Sequence, residues 1–132
     1  IILSAENANI ISRKKYPRLR HHVWGETFAL GYWYSKSEYP LWKFRVNTRA
    51  RYRIKITLSC SDKNAGRVIR LNIGKARFTF NTPSTRHYFY YRTFDINKTV
   101  FLKPGMYKAV LKAMSEKGPY CNIRKVVLQR VD

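Results

Sequence analysis

Arg51-Tyr52-Arg53-Ile54-Lys55-Ile56-Thr57-Leu58-Ser59 alternates apolar and polar side chains at almost every step. Successive side chains leave a β-strand on opposite faces. Tyr52, Ile54, Ile56 and Leu58 therefore share one face, and Arg53, Lys55 and Thr57 the other. A helix would scatter those apolar residues around its circumference, so the spacing predicts a half-buried strand. The same period recurs on both sides. Trp42, Phe44 and Val46 alternate with Lys43 and Arg45; Ile69, Leu71 and Ile73 with Arg70 and Asn72. Ala76, Phe78 and Phe80 alternate with Lys75, Arg77 and Thr79, and Tyr107, Ala109 and Leu111 with Lys108, Val110 and Lys112. Strands are expected over 51–59, 67–73, 76–80, 106–113 and 122–128. Gly74-Lys75 and Lys103-Pro104-Gly105 supply turns. Short strands set between Gly, Pro and Asn predict an all-β sandwich or barrel.

The first forty residues are less regular. Ser4 to Ala8 leads to a short strand at Ile10-Ile11. Arg13 to His22 reads as a cationic, proline-containing loop, and Trp24 to Tyr34 as one short strand with turns. Trp24 and Trp42 are expected in the core. Pro83-Ser84-Thr85 opens a loop dense in aromatics, where the alternation of Tyr88-Phe89-Tyr90-Tyr91 sends two rings inward. No segment carries a helical apolar stripe, an internal repeat or a low-complexity tract. Residues 1–132 are expected to form a single domain.

The chain carries 27 Lys plus Arg against 7 Asp plus Glu, a formal charge of +20. Such an imbalance speaks to partners rather than fold: nucleic acid, an anionic membrane, or a sulfated or uronate polysaccharide. The plainer alternative is a solvated basic surface. No apolar run approaches the roughly 20 residues of a membrane helix, and no membrane partner is expected. The start has no secretory leader pattern. The chain opens on Ile1 rather than methionine, and the expectation is an excised module of a longer protein. Cys60 follows a strand and Cys121 precedes one. They either meet in a disulfide or stand as two buried thiols.

The outward faces of these strands repeat Lys and Arg. Lys43, Arg45, Arg53, Lys55, Arg70, Arg77, Lys108 and Lys112 either form a cationic platform for a polyanion or divide between two faces and solvate. Arg13-Lys14-Lys15 with Arg18 and Arg20 is the densest charge cluster, a clamp for a polyanion or a solvated loop.

Several pieces of the chain, in order, resemble carbohydrate-binding modules of families 6 and 35, which are galactose-binding-like jelly rolls. They are Leu3-Ser4-Ala5-Glu6-Asn7-Ala8, Gly31-Tyr32-Trp33, Trp42-Lys43-Phe44-Arg45-Val46, the segment from Ala50 to Leu58, Pro83-Ser84-Thr85, Leu102 to Tyr107, and Asn122-Ile123 with its closing strand. The chain is similar to modules appended to bacterial fucosidases and sulfatases. The resemblance implies a jelly-roll β-sandwich with a sugar site at its loop end. There, loop aromatics cover the apolar face of a pyranose and an Asn opening the last strand bonds its hydroxyls. The matching positions are Trp33 or Tyr34, Tyr88 and Asn122. Arg86-His87 replaces a common Gly-Gly before the aromatic, adding charge suited to a carboxylate or sulfate. Lys36, Lys117 and Tyr120 complete the candidate ligand-binding set. Many such modules hold a structural calcium through an early Glu, here Glu6, and an acid in the last strand. Arg124 stands where that acid is frequent, so calcium is doubtful. No catalytic residue, other metal or cofactor is expected; His21, His22 and His87 do not form a metal triad.

The leading function is a non-catalytic module that binds an anionic polysaccharide. It would hold an attached carbohydrate-active enzyme near its substrate, within a larger secreted, periplasmic or cell-surface protein. The alternative is a nucleic-acid-binding basic β domain, in which tyrosines stack on bases. The few carboxylates show no glycosidase pairing, and no nucleophile elbow or phosphate loop occurs.

Overall fold

The computed structural model describes residues 1–24 and 27–131, without the Trp24 side chain. The expected core position of that ring therefore lies outside the described residues. The strands are β1 (Ile2–Ser4), β2 (Asn9–Ile11), β3 (Arg20–Trp24), β4 (Thr27–Gly31), β5 (Tyr39–Val46) and β6 (Ala50–Ser59). They continue with β7 (Val68–Ile73), β8 (Ala76–Asn81), β9 (Arg92–Leu102), β10 (Gly105–Ala113) and β11 (Asn122–Val131). One sheet has the order β3-β4-β11-β6-β9, with β1 also on β11; the other has the order β2-β5-β10-β7-β8. The pairings are antiparallel. Ile54, Ile56 and Leu58 of the first sheet share one core with Ile69, Leu71, Ile73 and Leu111 of the second. This is the expected all-β jelly-roll sandwich.

Two segments depart from the sequence reading. Arg13 to His22 is not loop throughout, because Arg20 opens β3. Among the described residues that strand lies at a sheet edge and pairs with β4 alone, so it needs no clean apolar face. The second departure is β9, the longest strand at 11 residues, which the period-2 signal did not reveal. Its register against β6 shifts between Arg53 and Lys55. Nearby Asn97 adopts a left-handed φ of 60°, and its N–H donates to Asp95 Oδ1 at 2.8 Å. The strand's polar middle, Asp95 to Lys98, belongs to this irregularity.

The charged platform divides unequally. Cross-strand neighbours Lys43 and Lys108, and Lys112 and Arg70, lie on the outer face of the β5-β10-β7-β8 sheet with Arg45 and Arg77. Arg53 and Lys55 lie on the other sheet, where Asp95 pairs with Arg53. Cys60 and Cys121 are free, buried thiols. Cys60 Sγ donates to the Tyr120 carbonyl at 3.2 Å.

Candidate functional site

The end of β4, the end of β6 and the start of β11 meet at one end of the sandwich. Asn122 pairs with Ser59, and the next residue, Ile123, with Leu30. Three loops are fastened there. The 82–91 loop is sewn to the end of β6: Thr85 N–H donates to the Cys60 carbonyl and Cys60 N–H to Thr85 Oγ1, both at 2.9 Å. Ser59 Oγ donates to the Tyr88 carbonyl at 2.7 Å. The 114–121 loop lies on the 32–38 loop, with Tyr120 N–H donating to the Trp33 carbonyl at 3.0 Å. Gly118 makes that approach possible, since a Cβ there would stand 2.7 Å from the Trp33 oxygen. In the 32–38 loop, Trp33 Nε1–H donates to the Glu38 carbonyl at 2.7 Å.

Between the loops opens a cleft of about 190 Å³, whose lining includes Tyr32, Phe89, Tyr34, Tyr88, His22 and Asn122. Tyr32 is 48% exposed and Phe89 65% exposed, so two rings meet solvent with an amide close by. Tyr32 has φ 61° and meets His22 edge-on, ring centroids 5.9 Å apart. Gly31 keeps the cleft open: its Cβ would crowd Asn122 Oδ1 and the His22 ring, each at 3.3 Å. Burial pushes the Tyr88 and Tyr91 phenols up, although hydrogen bonds partly offset this, so both stay neutral donors near neutral pH. Burial also raises the Cys60 thiol, and raises the Cys121 thiol well above its ordinary value.

The structure separates the expected site residues. Tyr34, Tyr88 and Asn122 do line the cleft; the Tyr88 hydroxyl accepts from Asn64 Nδ2 at 2.9 Å. Trp33 borders the cleft, but its ring is 1% exposed and packs in the core against Tyr120, which is 0% exposed. Neither ring is available to stack on a ligand. Adjacent residues on an extended segment point opposite ways, so burying Trp33 turns Tyr32 and Tyr34 outward. Lys36 is engaged by Glu116 at 2.8 Å, and Lys117 is exposed beside that pair. Arg86 and His87 are exposed and do not line the cleft. Arg86 lies 3.9 Å from Asp62, and the His87 ring lies near Phe89 and Tyr90.

Sequence reasoning missed Tyr32, Phe89 and His22. The signal for Tyr32 was its place between Gly31 and a tryptophan. For Phe89 the period-2 reading misled, because 86–89 is a bend and turn rather than a strand.

A larger groove of about 890 Å³ crosses the outer face of the β5-β10-β7 sheet, where Lys43, Lys108, Lys112, Lys75 and Tyr39 are among its lining residues. Among the described residues the ion pairs are Lys36–Glu116, Arg53–Asp95 and Arg86–Asp62, none on this groove. Arg70 Nε and Asn72 Oδ1 on this sheet are buried without a hydrogen-bond partner. Glu6 is exposed, and the described residues hold no group of three His, Cys, Asp or Glu able to hold a metal. Arg124, a cation, stands on the last strand, and calcium is held by oxygen donors.

Solved structures with this architecture include three carbohydrate-binding modules. The C-terminal family 6 module of LamC, a marine laminarinase from Zobellia galactanivorans, matches with TM-score 0.74 and 15% identity over 98% of each chain. A family 35 module from Clostridium thermocellum matches with TM-score 0.76 and 14% identity, over 96% of this chain and 94% of that one. The module CBM6cm-2 of Cellvibrio mixtus lichenase 5A, solved with cellotriose, matches with TM-score 0.73 and 15% identity, over 100% and 98%. The chain has the fold of family 6 and family 35 carbohydrate-binding modules. No protein-family model and no curated protein matches its sequence.

Proposed function

We propose that this chain is a non-catalytic carbohydrate-binding module that takes an anionic polysaccharide, sulfated or uronate-rich, at its loop-end cleft. The observation that carries the proposal is the pair of solvent-exposed rings, Tyr32 and Phe89, bordering one cleft with the Asn122 amide. A pyranose has an apolar C–H face and a rim of hydroxyls. Rings match the face, and an amide both donates to and accepts from the rim. The shared fold supports the reading, since one of the similar modules was solved with cellotriose. That ligand is neutral, whereas this chain carries +20 and a row of cations on one sheet with no ion pair among the described residues, which supports an anionic polymer here. Within a larger secreted, periplasmic or surface protein, such a module raises the effective concentration of an attached carbohydrate-active enzyme at its substrate.

The test is retention on immobilised sulfated, uronate and neutral polysaccharides and on single-stranded DNA, at low and high salt. Retention on an anionic polysaccharide is expected, weakened by salt and reduced at least about tenfold by Tyr32→Ala or Phe89→Ala. Salt-insensitive binding would remove the electrostatic part. Binding to DNA that outlasts binding to every glycan would replace the proposal with a nucleic-acid role.

A further inference from the structure

The cationic loop before β3 does not wave in solvent. Leu19 is buried at 1% exposure, and the buried carboxylate of Glu38 holds the loop's backbone. Glu38 Oε1 accepts from Leu19 N–H at 3.1 Å, both oxygens accept from Arg18 N–H at 3.2 Å, and Oε2 accepts from Ser12 Oγ at 2.8 Å. The loop therefore delivers Arg18 and Arg20 to fixed places. The Arg20 guanidinium lies 4.6 Å from the centroid of Tyr32, and that of Arg18 lies 4.0 Å from the centroid of Tyr34. Both tyrosines line the loop-end cleft, so the two arginines, themselves outside its lining, stand against its wall. Arg20 also shares a face of β3 with His22, which lines the cleft.

A guanidinium stacked on a ring uses its π face and keeps its in-plane N–H donors at the edge. Arg20 spends Nε on the Arg18 carbonyl at 3.2 Å. Among the described residues neither arginine has a carboxylate at ion-pair distance. A planar donor edge beside an exposed ring matches two oxygens of an oxyanion carried on a sugar that stacks on that ring.

We infer that Arg20, seconded by Arg18, is the specificity-determining group of the cleft: it reads a sulfate ester or carboxylate on the bound pyranose. Glu38 is its positioning residue, acting through the loop backbone. The inference rests on the cleft reading above and deepens it.

Isothermal titration with matched polymers tests it: a sulfated galactan against its desulfated form, and polygalacturonate against its methyl ester. Wild type is expected to prefer the charged member of at least one pair, and which pair tells sulfate from carboxylate. Arg20→Gln should lower that charged-to-uncharged affinity ratio about tenfold, and Arg20→Lys should restore it only in part, since lysine lacks the planar fork. Tyr32→Ala should instead weaken both members alike. Thermal melting of each variant separates lost recognition from lost folding, and Arg18→Gln gives a second probe with a smaller effect. An unchanged ratio in a folded Arg20→Gln protein overturns the role of Arg20 while leaving the cleft intact. Binding in every pair that ignores Tyr32→Ala, or no binding at all, overturns the cleft reading and this inference together.

Discussion

Asn122 shows how one side chain can be legible in the sequence and still depend on a neighbour for its use. It opens β11 and lines the loop-end cleft. The missing Cβ of Gly31 leaves its oxygen and the His22 ring room. Asn122→Ala is expected to weaken glycan binding about fivefold, roughly the 1 kcal/mol of one neutral hydrogen bond, with little change in melting. Gly31→Ala, read by the same titration, should weaken binding by pressing on both neighbours. Cys60 and Cys121 are a different case: both are buried, burial together with the neighbouring Cys60 raises the Cys121 thiol, and Cys121 borders the cleft. The folded values lie above the ordinary thiol value of 9.0. Their contribution to stability is thus complete below about pH 9 and fades as the pH climbs through that value toward the folded one. A thiol-disulfide reagent at about pH 8 should modify neither cysteine in the native protein and both after unfolding. Rapid native labelling would contradict their burial.

The elements that the sequence disclosed are those with one wet face and one dry face. β6 alternates because Ile54, Ile56 and Leu58 enter the core while Arg53 and Lys55 stay outside. Ile56→Ala is expected to cost about 2–5 kcal/mol in denaturant unfolding. The elements it concealed lack that contrast. β3 is an edge strand with a cationic start, and β9 opens on the polar Arg92-Thr93 and carries a polar irregularity at Asn97 before its apolar end. The cleft was half legible for the same reason. Tyr34, Tyr88 and Asn122 could be placed by their position in the fold, but which of three consecutive aromatics faced out depended on Trp33 meeting Tyr120 from a loop eighty-odd residues away. Phe89 depended on a turn that the alternation rule does not describe. The role of Glu38 as a loop anchor had no sequence signal at all, because its partners are backbone amides and a serine distant in the chain.

The whole molecule concentrates like charge on one sheet, whose strands carry no acid. Lys43 faces Lys108 across a strand pair, and Lys112 faces Arg70; such neighbours repel. Lys108→Glu would put opposite charges across that pair and is expected to stabilise the fold by about 0.2–1 kcal/mol, seen as a small rise in melting temperature that shrinks with added salt. A fall instead would mean that the native charge on this face is already balanced. The same excess charge draws any polyanion to the surface, so bulk affinity alone does not identify the site. Residue-resolved binding does. In an NMR titration with a sulfated or uronate oligosaccharide, the signals of Tyr32, Phe89 and Asn122 are expected to move together and saturate at moderate salt. Shifts confined to Lys43, Lys108 and Lys112, with those three silent, would contradict a glycan site at the loop end.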